Sequence, residues 1–317
     1  MNTKDEYSEK FKKALLNEDL QTINTIPKSD HHVHIKYGGT LGYFSERGIF
    51  LEKFPEDIYS IRELQLWQKQ KICPFFNDIS GTKERIKATF IQAQRDNIKN
   101  ISLAIGLSTI MQFKDIQYLF EYLYRLKEEY ISNSICNYEL MLDKKYDNEF
   151  NKNKVVPLLK KKYFSAIDCG GIPEKANDNI KVVYDYATEN GIRKKAHIGE
   201  FSDPAAILET VKCLNLDEIV HGIRAVESKE TMDFLREKKV YLHICPESNI
   251  KLHAVRSYYE HPIKKIYRSG IGVTINTDDL LLFNASVSEQ YLKLYKNMCL
   301  TAEELDKIRV FGLKKRL

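Results

Sequence analysis

The amino-acid sequence predicts an α/β protein, a (β/α)8 TIM barrel with a helical insertion after the first strand. Three observations lead to this prediction. The chain has 317 residues, a common length for a single barrel. Short apolar or β-branched runs alternate with longer, amphipathic, charge-rich segments, which is the pattern of parallel strands joined by helices. No internal repeat or Gly/Ser/Pro-rich linker divides the chain. We expect one domain over residues 1–317, and an open doubly wound sheet is the alternative.

Eight runs have the length and composition of buried strands. In chain order they are DHHVHI (30–35), ISLAIG (101–106), ICNYELML (135–142), FSAIDCGG (164–171), KKAHIGE (194–200), EIVHG (218–222), VYLHICP (240–246) and GVTINTDD (272–279). Helix signals lie between them. Ser202 or Asp203 can cap a helix whose first turn contains Pro204. The interval between the first two strands is too long for one helix, so we expect a helical insertion over about residues 40–95.

Charge and composition exclude several classes of protein. The 49 Lys and Arg residues are mixed with 44 Asp and Glu residues, which gives a net charge of only +5 and no basic stripe for nucleic acid or a membrane surface. The six cysteines are scattered without a C-x-x-C pair, so we expect reduced thiols. The charged N-terminus has no apolar signal segment, and no apolar run is long enough to span a membrane. We expect a cytoplasmic protein of undetermined oligomeric state.

The stretch SDHHVHIKYGG contains three histidines within four positions. Side chains on a strand alternate between its two faces, so His32 and His34 project together while His31 points away with Val33. Two imidazoles on one face can reach one metal ion. The alternative is a partly exposed strand edge with incidental histidines, so this pair requires partners elsewhere in the chain.

Those partners stand at the carboxyl ends of other predicted strands, where barrel enzymes assemble their sites. His197 and Glu200 close the fifth strand, His221 the sixth, and Asp278 and Asp279 the eighth. Three imidazoles and one carboxylate suffice for the protein ligands of Zn²⁺. A fourth histidine and two further carboxylates then remain for chemistry.

In this order, PKSDHHVHI, IDCGG, AHIGE, IVHGIRAVES and CPESNIKL through GIGVTINTDD resemble the adenosine deaminase family of metal-dependent amidohydrolases. The resemblance runs from residue 27 to about residue 290. It implies one Zn²⁺ per chain and a water molecule as the nucleophile. The residues that match the family's metal ligands are His32, His34, His197 and Asp278.

The resemblance also implies roles around the purine. Glu200 matches the acid that protonates ring nitrogen N1, and His221 matches the imidazole that orients the nucleophile. Asp279 matches the carboxyl group that contacts N7, and Gly171 matches the glycine whose N–H meets N3. Together with Asp278 as metal ligand, Glu200 and His221 form the catalytic set. The chemistry is consistent with these roles, because aromatic C–N hydrolysis needs a nucleophile at neutral pH and an acid for the ring.

The sequence departs from the family where the sugar is recognised. The family reads H-x-H-L-D-G, whereas this chain reads HVHIKYGG, with Lys36 and Tyr37 in place of Asp-Gly or beside a short insertion. We expect both residues to contribute to substrate binding and the enzyme to depend less on a free 5′-hydroxyl. Leu280 replaces the usual Pro after the Asp pair, and the chain ends where relatives continue, which predicts a naturally short or truncated C-terminus. The CPESN segment has no second cysteine pair, so we interpret it as loop-shaping rather than metal-binding.

The expected function is zinc-dependent hydrolytic deamination of a 6-aminopurine, adenosine or a related adenine nucleoside, to the 6-oxo product and ammonia. Two alternatives remain. One is a deaminase of adenine or of a 5′-modified adenine nucleoside, and the other is a catalytically silent barrel that binds a purine. The expected partner is a small-molecule purine. The intact set of ligands and acid favours an enzyme, since a binding protein needs neither.

Overall fold

The computed structural model describes residues 6–171 and 178–314 of the chain. Eight strands are present among them, and each was expected from the sequence. They are β1 (Lys28–His34), β2 (Ile98–Gly106), β3 (Ile135–Asp143), β4 (Ala166–Gly170), β5 (Arg193–Ile198), β6 (Glu218–His221), β7 (Tyr241–Ile244) and β8 (Val273–Ile275). All seven successive pairs are parallel and follow the chain order. The predicted (β/α)8 barrel is confirmed.

The barrel is nearly closed, because β8 returns to β1 through a single bridge. Val33 pairs with Asp278, the His34 N–H donates to the Asp278 carbonyl (3.1 Å), and the Asp278 N–H donates to the His32 carbonyl (3.0 Å). The buried Asp30 carboxylate accepts a hydrogen bond from the Thr277 N–H (3.2 Å) and thereby ties the same two segments together. Closure of the barrel therefore fixes the backbone on which three predicted metal ligands stand.

Helices connect the strands and cover the outside of the barrel. They are α1 (Ser8–Leu16), α2 (Leu20–Thr25), α3 (Leu41–Ser45), α4 (Ile61–Trp67), α5 (Ile79–Arg95), α6 (Leu107–Gln112), α7 (Ile116–Ile131), α8 (Asn148–Phe150), α9 (Val156–Lys160), α10 (Asp178–Glu189), α11 (Pro204–Leu214), α12 (Lys229–Lys238), α13 (Pro246–Lys251), α14 (Ile263–Arg268), α15 (Leu280–Phe283), α16 (Val287–Lys296) and α17 (Ala302–Lys314). As expected, Asp203 caps α11 by accepting from the Ala206 N–H, and Pro204 is its first residue. None of the helices in the described segments is long and apolar enough to cross a membrane.

Several helical segments lie between β1 and β2. After α3 and α4 the chain forms a π-helix (Gln68–Ile72) and a 3₁₀-helix (Cys73–Phe76) before α5. Their apolar side chains pack in a cluster of their own, which also contains Leu252 after α13 and three of the four apolar residues of α15. Because α15 directly follows Asp279, this cluster holds the segment 41–76 against the end of the barrel at which the strands finish.

The barrel interior contains a charged layer beneath those strand ends. Lys195 is fully buried, and its ammonium group donates to both Glu139 carboxylate oxygens (3.0 and 2.9 Å) and to the His31 carbonyl (2.8 Å). Nearby, His243 Nε2 lies 2.8 Å from a Glu218 carboxylate oxygen. A buried ion pair of this kind is costly to break, because the remaining charge would be left without compensation.

Candidate active site

Four predicted metal ligands converge at the carboxyl ends of the strands. One nitrogen from each of His32, His34 and His197 and one oxygen of Asp278 lie within 4.8 Å of one another. The Asp278 Oδ1 atom is 3.4 Å from His32 Nε2 and 3.2 Å from His34 Nε2. Asp278 lies three residues beyond the end of β8, and its backbone takes a left-handed conformation (φ 59°) there. The ladder between β7 and β8 already ends at Ile275, so the predicted eighth strand extends beyond the observed one.

The unpaired buried atoms of this cluster fit a metal ion. Within the described residues, His32 Nε2 and His197 Nε2 have no hydrogen-bond partner although both atoms are buried. A buried polar atom without a partner is costly, and a neutral imidazole nitrogen is a preferred ligand of Zn²⁺. Burial lowers the pKa of His32 to about 3, which keeps this imidazole in the neutral form that can bind a metal. The donor set therefore fits a transition-metal ion.

His34 differs from His32 in its charge. Burial opposes the imidazolium, but the carboxylates of Asp279 and Asp278 outweigh that effect and raise the pKa of His34 to about 9. A bound cation competes with this proton for the ring nitrogen. Metal binding by these residues should accordingly release a proton.

Asp168 on β4 supports His197, one of the predicted metal ligands, and was missed in the sequence. Its Oδ1 atom accepts a hydrogen bond from His197 Nδ1 (3.1 Å), and its Oδ2 atom lies 3.6 Å from His32 Nδ1. Burial opposes ionisation of Asp168, but the neighbouring His197 outweighs it and holds the pKa of this carboxyl well below its usual range. A carboxylate on Nδ1 leaves Nε2 free to bind a metal, a common arrangement in metal sites. The sequence feature that could have revealed Asp168 is its position as the only carboxylate within the buried strand IDCGG.

The two predicted catalytic groups that do not bind metal lie side by side. Glu200 follows β5 and His221 ends β6, and both are buried. His221 Nε2 lies 3.5 Å from Glu200 Oε2, and the ring centres of His221 and His197 are 5.5 Å apart. Burial lowers the pKa of His221 to about 4. The neighbouring Gly199 has φ 76° and contacts Ile207 closely, so a side chain at this turn would clash.

These groups surround a cavity of about 190 Å³. The predicted residues on its wall are His34, Tyr37, Gly171, His197, Glu200, His221, Asp278 and Asp279. Segment 61–68 supplies Ile61, Leu64, Gln65 and Gln68, none of which the sequence had suggested. Gln68 donates to Asp279 Oδ2 (3.3 Å). Burial and the adjacent Asp278 raise the pKa of Asp279 to about 7.

Lys36 does not line this cavity. It is half-buried, and burial together with the neighbouring Arg85 lowers its pKa to about 8. The Arg85 guanidinium lies 5.0 Å from the centre of the Tyr37 ring. The structure therefore brings Tyr37 to the cavity but leaves Lys36 away from it.

A second cavity of about 180 Å³ adjoins the first. The two share the wall residues Gln65, Met141, Gly170 and Gly171. The second adds Ser108 and Asp143, and Asp143 pairs with Lys145 (2.7 Å). A larger groove of about 960 Å³ lies at the other end of the barrel, where β5 to β7 begin, and contains none of the predicted site residues. Chemistry rather than size therefore identifies the site.

Comparison with known proteins agrees with this geometry. The family model described as adenosine deaminase matches residues 144–316, more than half of the chain. A predicted adenosine/adenine deaminase of Treponema pallidum is 29% identical over 275 residues, which is 86% of this chain and 92% of that protein. The adenosine deaminase of Plasmodium gallinaceum is 37% identical over 158 residues, 49% of this chain and 43% of that protein. The crystal structure of adenine deaminase from Arthrobacter aurescens superposes with a TM-score of 0.74 at 18% identity, covering 92% of this chain and 94% of that one.

Proposed function

The chain belongs to the adenosine deaminase family, and from this premise we propose that it deaminates adenosine or a closely related adenine nucleoside with the help of one Zn²⁺ per chain. The products are the 6-oxo purine and ammonia. Members of this family are metal-dependent hydrolytic deaminases. One observation carries the proposal: three imidazoles and one carboxylate converge beside a buried Glu200 on the wall of one cavity.

The proposed metal ligands are His32, His34, His197 and Asp278. Zn²⁺ bound there would lower the pKa of water to about 7 and so provide a nucleophile at neutral pH. Asp168 holds the His197 ring so that its Nε2 atom faces the other ligands. These contacts support a site formed by the chain's own side chains.

The proposed acid is Glu200. Addition of water to C6 breaks the aromatic system, and protonation of N1 by a neutral carboxyl group compensates for the electrons that move onto the ring. As the bond between C6 and the exocyclic nitrogen breaks, the proton of the new C6 hydroxyl passes to that nitrogen, which releases ammonia and leaves the 6-oxo group. His221, whose Nε2 lies 3.5 Å from Glu200, is placed to orient the attacking oxygen. We assign Asp279 to N7 and the Gly171 N–H to N3, since both line the same cavity.

The adjoining cavity favours a nucleoside over free adenine or a nucleotide. A purine ring alone would leave this second space empty, whereas a sugar on N9 can enter it past Gly171. Ser108 and Asp143 line it and can bond to sugar hydroxyls. A phosphate group would meet the Asp143 carboxylate and compete with it for Lys145. The residues that line the second cavity are therefore the reason to rank adenine and AMP below a nucleoside as the substrate.

Two measurements test the proposal. Elemental analysis of protein purified without chelator should find about one zinc per chain, and His197→Ala should lose both metal and activity. The metal-loaded protein is then assayed with adenine, adenosine, 2′-deoxyadenosine, 5′-deoxyadenosine, 5′-methylthioadenosine and AMP. We expect the nucleosides to have the highest kcat/KM. Binding of purines without turnover of any of them would instead support the silent barrel, and a clear preference for adenine would contradict the role of the second cavity.

A further inference from the structure

We propose that Asn249 is a positioning residue that decides which atoms of Glu200 and His221 carry their protons. Asn249 lies in α13, within the CPESN segment, and is fully buried. Its amide nitrogen is 2.6 Å from Glu200 Oε1 and 3.1 Å from His221 Nδ1. One amide group therefore bridges both proposed catalytic groups. The inference rests on the proposed function, which gives Glu200 and His221 their catalytic roles.

The orientation of the Asn249 amide follows from its other neighbour, His261. The backbone N–H of Ile263 donates to His261 Nδ1 (3.1 Å), so this ring nitrogen must be the unprotonated one. The proton of the neutral ring is then on Nε2, which lies 3.3 Å from Asn249 Oδ1. His261 is buried, which lowers its pKa to about 3 and keeps the ring neutral. The oxygen of Asn249 accordingly faces His261, and its NH₂ group faces the cavity.

The two hydrogens of that NH₂ group then determine which atoms of Glu200 and His221 must act as hydrogen-bond acceptors. One is donated to Glu200 Oε1, which occupies this oxygen and leaves Oε2 to carry the acid proton. The other is donated to His221 Nδ1, which must offer a lone pair, so the proton of the neutral His221 ring is on Nε2. Both protons are thus kept on Glu200 Oε2 and His221 Nε2, the atoms that are not bonded to Asn249. These two atoms lie 3.5 Å apart, too far for a strong hydrogen bond, so each can donate to a group in the cavity.

This arrangement gives His221 and Glu200 different tasks. With Nε2 protonated, the neutral His221 ring can donate a hydrogen bond toward the cavity but cannot accept a proton there. Glu200, protonated on Oε2, can deliver its proton to a ring nitrogen. A wrong tautomer in a comparable buried pair costs about 10⁴ in turnover while leaving the geometry intact. We expect Asn249 to act mainly on kcat for this reason.

The first test does not depend on activity. Protein labelled with ¹⁵N in histidine and loaded with Zn²⁺, which is diamagnetic, is examined by long-range ¹H–¹⁵N NMR at neutral pH. His221 is assigned by comparison with His221→Gln. We expect the signal of an unprotonated, hydrogen-bonded Nδ1 and of a protonated Nε2. The opposite pattern, with the proton on Nδ1, would overturn the proposal even if the enzyme proves to be an adenosine deaminase.

The second test uses Asn249→Asp, which keeps the shape but replaces the NH₂ donor by an acceptor. We expect kcat to fall by at least about 100-fold with KM changed by less than about threefold, with zinc content unchanged and with the His221 proton moved to Nδ1. Asn137→Asp is the matched control. Asn137 is a buried amide on β3 that bonds to Asn100 and Ile101, so its change should spare kcat and the His221 signals.

The outcomes separate the two proposals. If Asn249→Asp retains kcat within about threefold of the unaltered enzyme, the positioning role is wrong. If the variant does not fold, the NMR pattern of the unaltered protein still decides. If the unaltered protein deaminates none of the purines, the proposed function fails, while the spectrum continues to test how Asn249 places the His221 proton.

Discussion

Replacement of Asp168 by asparagine should weaken metal binding by about 10- to 100-fold. Asp168 is fully buried and accepts a charge-assisted hydrogen bond from His197 Nδ1 at 3.1 Å. Such a bond contributes about 1.5–3 kcal/mol, which corresponds to that range of affinity at about 1.4 kcal/mol per tenfold. The amide of Asp168→Asn is neutral and can also donate to Nδ1, which would shift the His197 proton to Nε2 and block the ligand atom.

The assay is a competition titration of zinc against a chromogenic chelator at neutral pH. Asp217→Asn provides the matched control, because Asp217 is a half-exposed carboxylate that bonds to Lys194 at the other end of the barrel. Its metal affinity should equal that of the unaltered protein. Circular dichroism and thermal unfolding establish that both variants are folded. An unchanged zinc affinity in folded Asp168→Asn would refute the view that this carboxylate fixes the His197 ring.

Three further predictions concern catalysis, stability and pH. Glu200→Gln should lower turnover by about 10²- to 10⁴-fold at unchanged metal content, because an amide cannot deliver the proton, and near-normal activity would show that Glu200 is not the acid. Lys195→Met should lower the free energy of unfolding in urea by about 3–5 kcal/mol by stranding the Glu139 charge, and adding Glu139→Leu should restore most of it. Folding lowers the pKa of His261 from 6.5 to about 3. Between these two values the unfolded chain binds a proton on His261 and the folded chain does not. The free energy of unfolding should therefore decrease as the pH falls below 6.5, by up to about 1.4 kcal/mol per pH unit. His261→Gln should reduce this slope between about pH 6.5 and about pH 5, and an equal slope in both proteins would contradict the assignment.

The barrel and most of the cavity wall could be predicted because strand ends are local features. Period-two alternation indicates which histidines share a face, and parallel strands bring their carboxyl ends together, so His32, His34 and His197 could be placed from sequence alone. The backbone conformation at the strand ends could not be predicted from the sequence. The observed β8 ends at Ile275 and Asp278 takes a left-handed φ, yet both residues lie within the run GVTINTDD that the sequence predicts as one strand.

The supporting residues were harder to predict because they are defined by contacts between distant elements. Asn249 lies on the short helix α13, His261 lies in the loop before α14, and Gln68 lies in the segment that packs over the barrel. No periodicity relates these positions to Glu200, His221 or Asp279. The assignment of Lys36 to the substrate followed from a change of charge in a motif. Strand alternation ends at His34, so the direction of the Lys36 side chain had no such rule behind it.

The closure of the barrel has a consequence for how the protein is made. The backbone of Asp278 forms the bridge between the segment after β8 and β1, and its partner Val33 lies between His32 and His34. On the ribosome, β1 emerges almost a whole chain before Asp278 does. During that time a metal ion could be held by imidazoles alone, without the carboxylate and without a closed barrel around them. The proposed metal site can therefore be complete only near the end of synthesis, when the segment that contains Asp278 docks against the first strand.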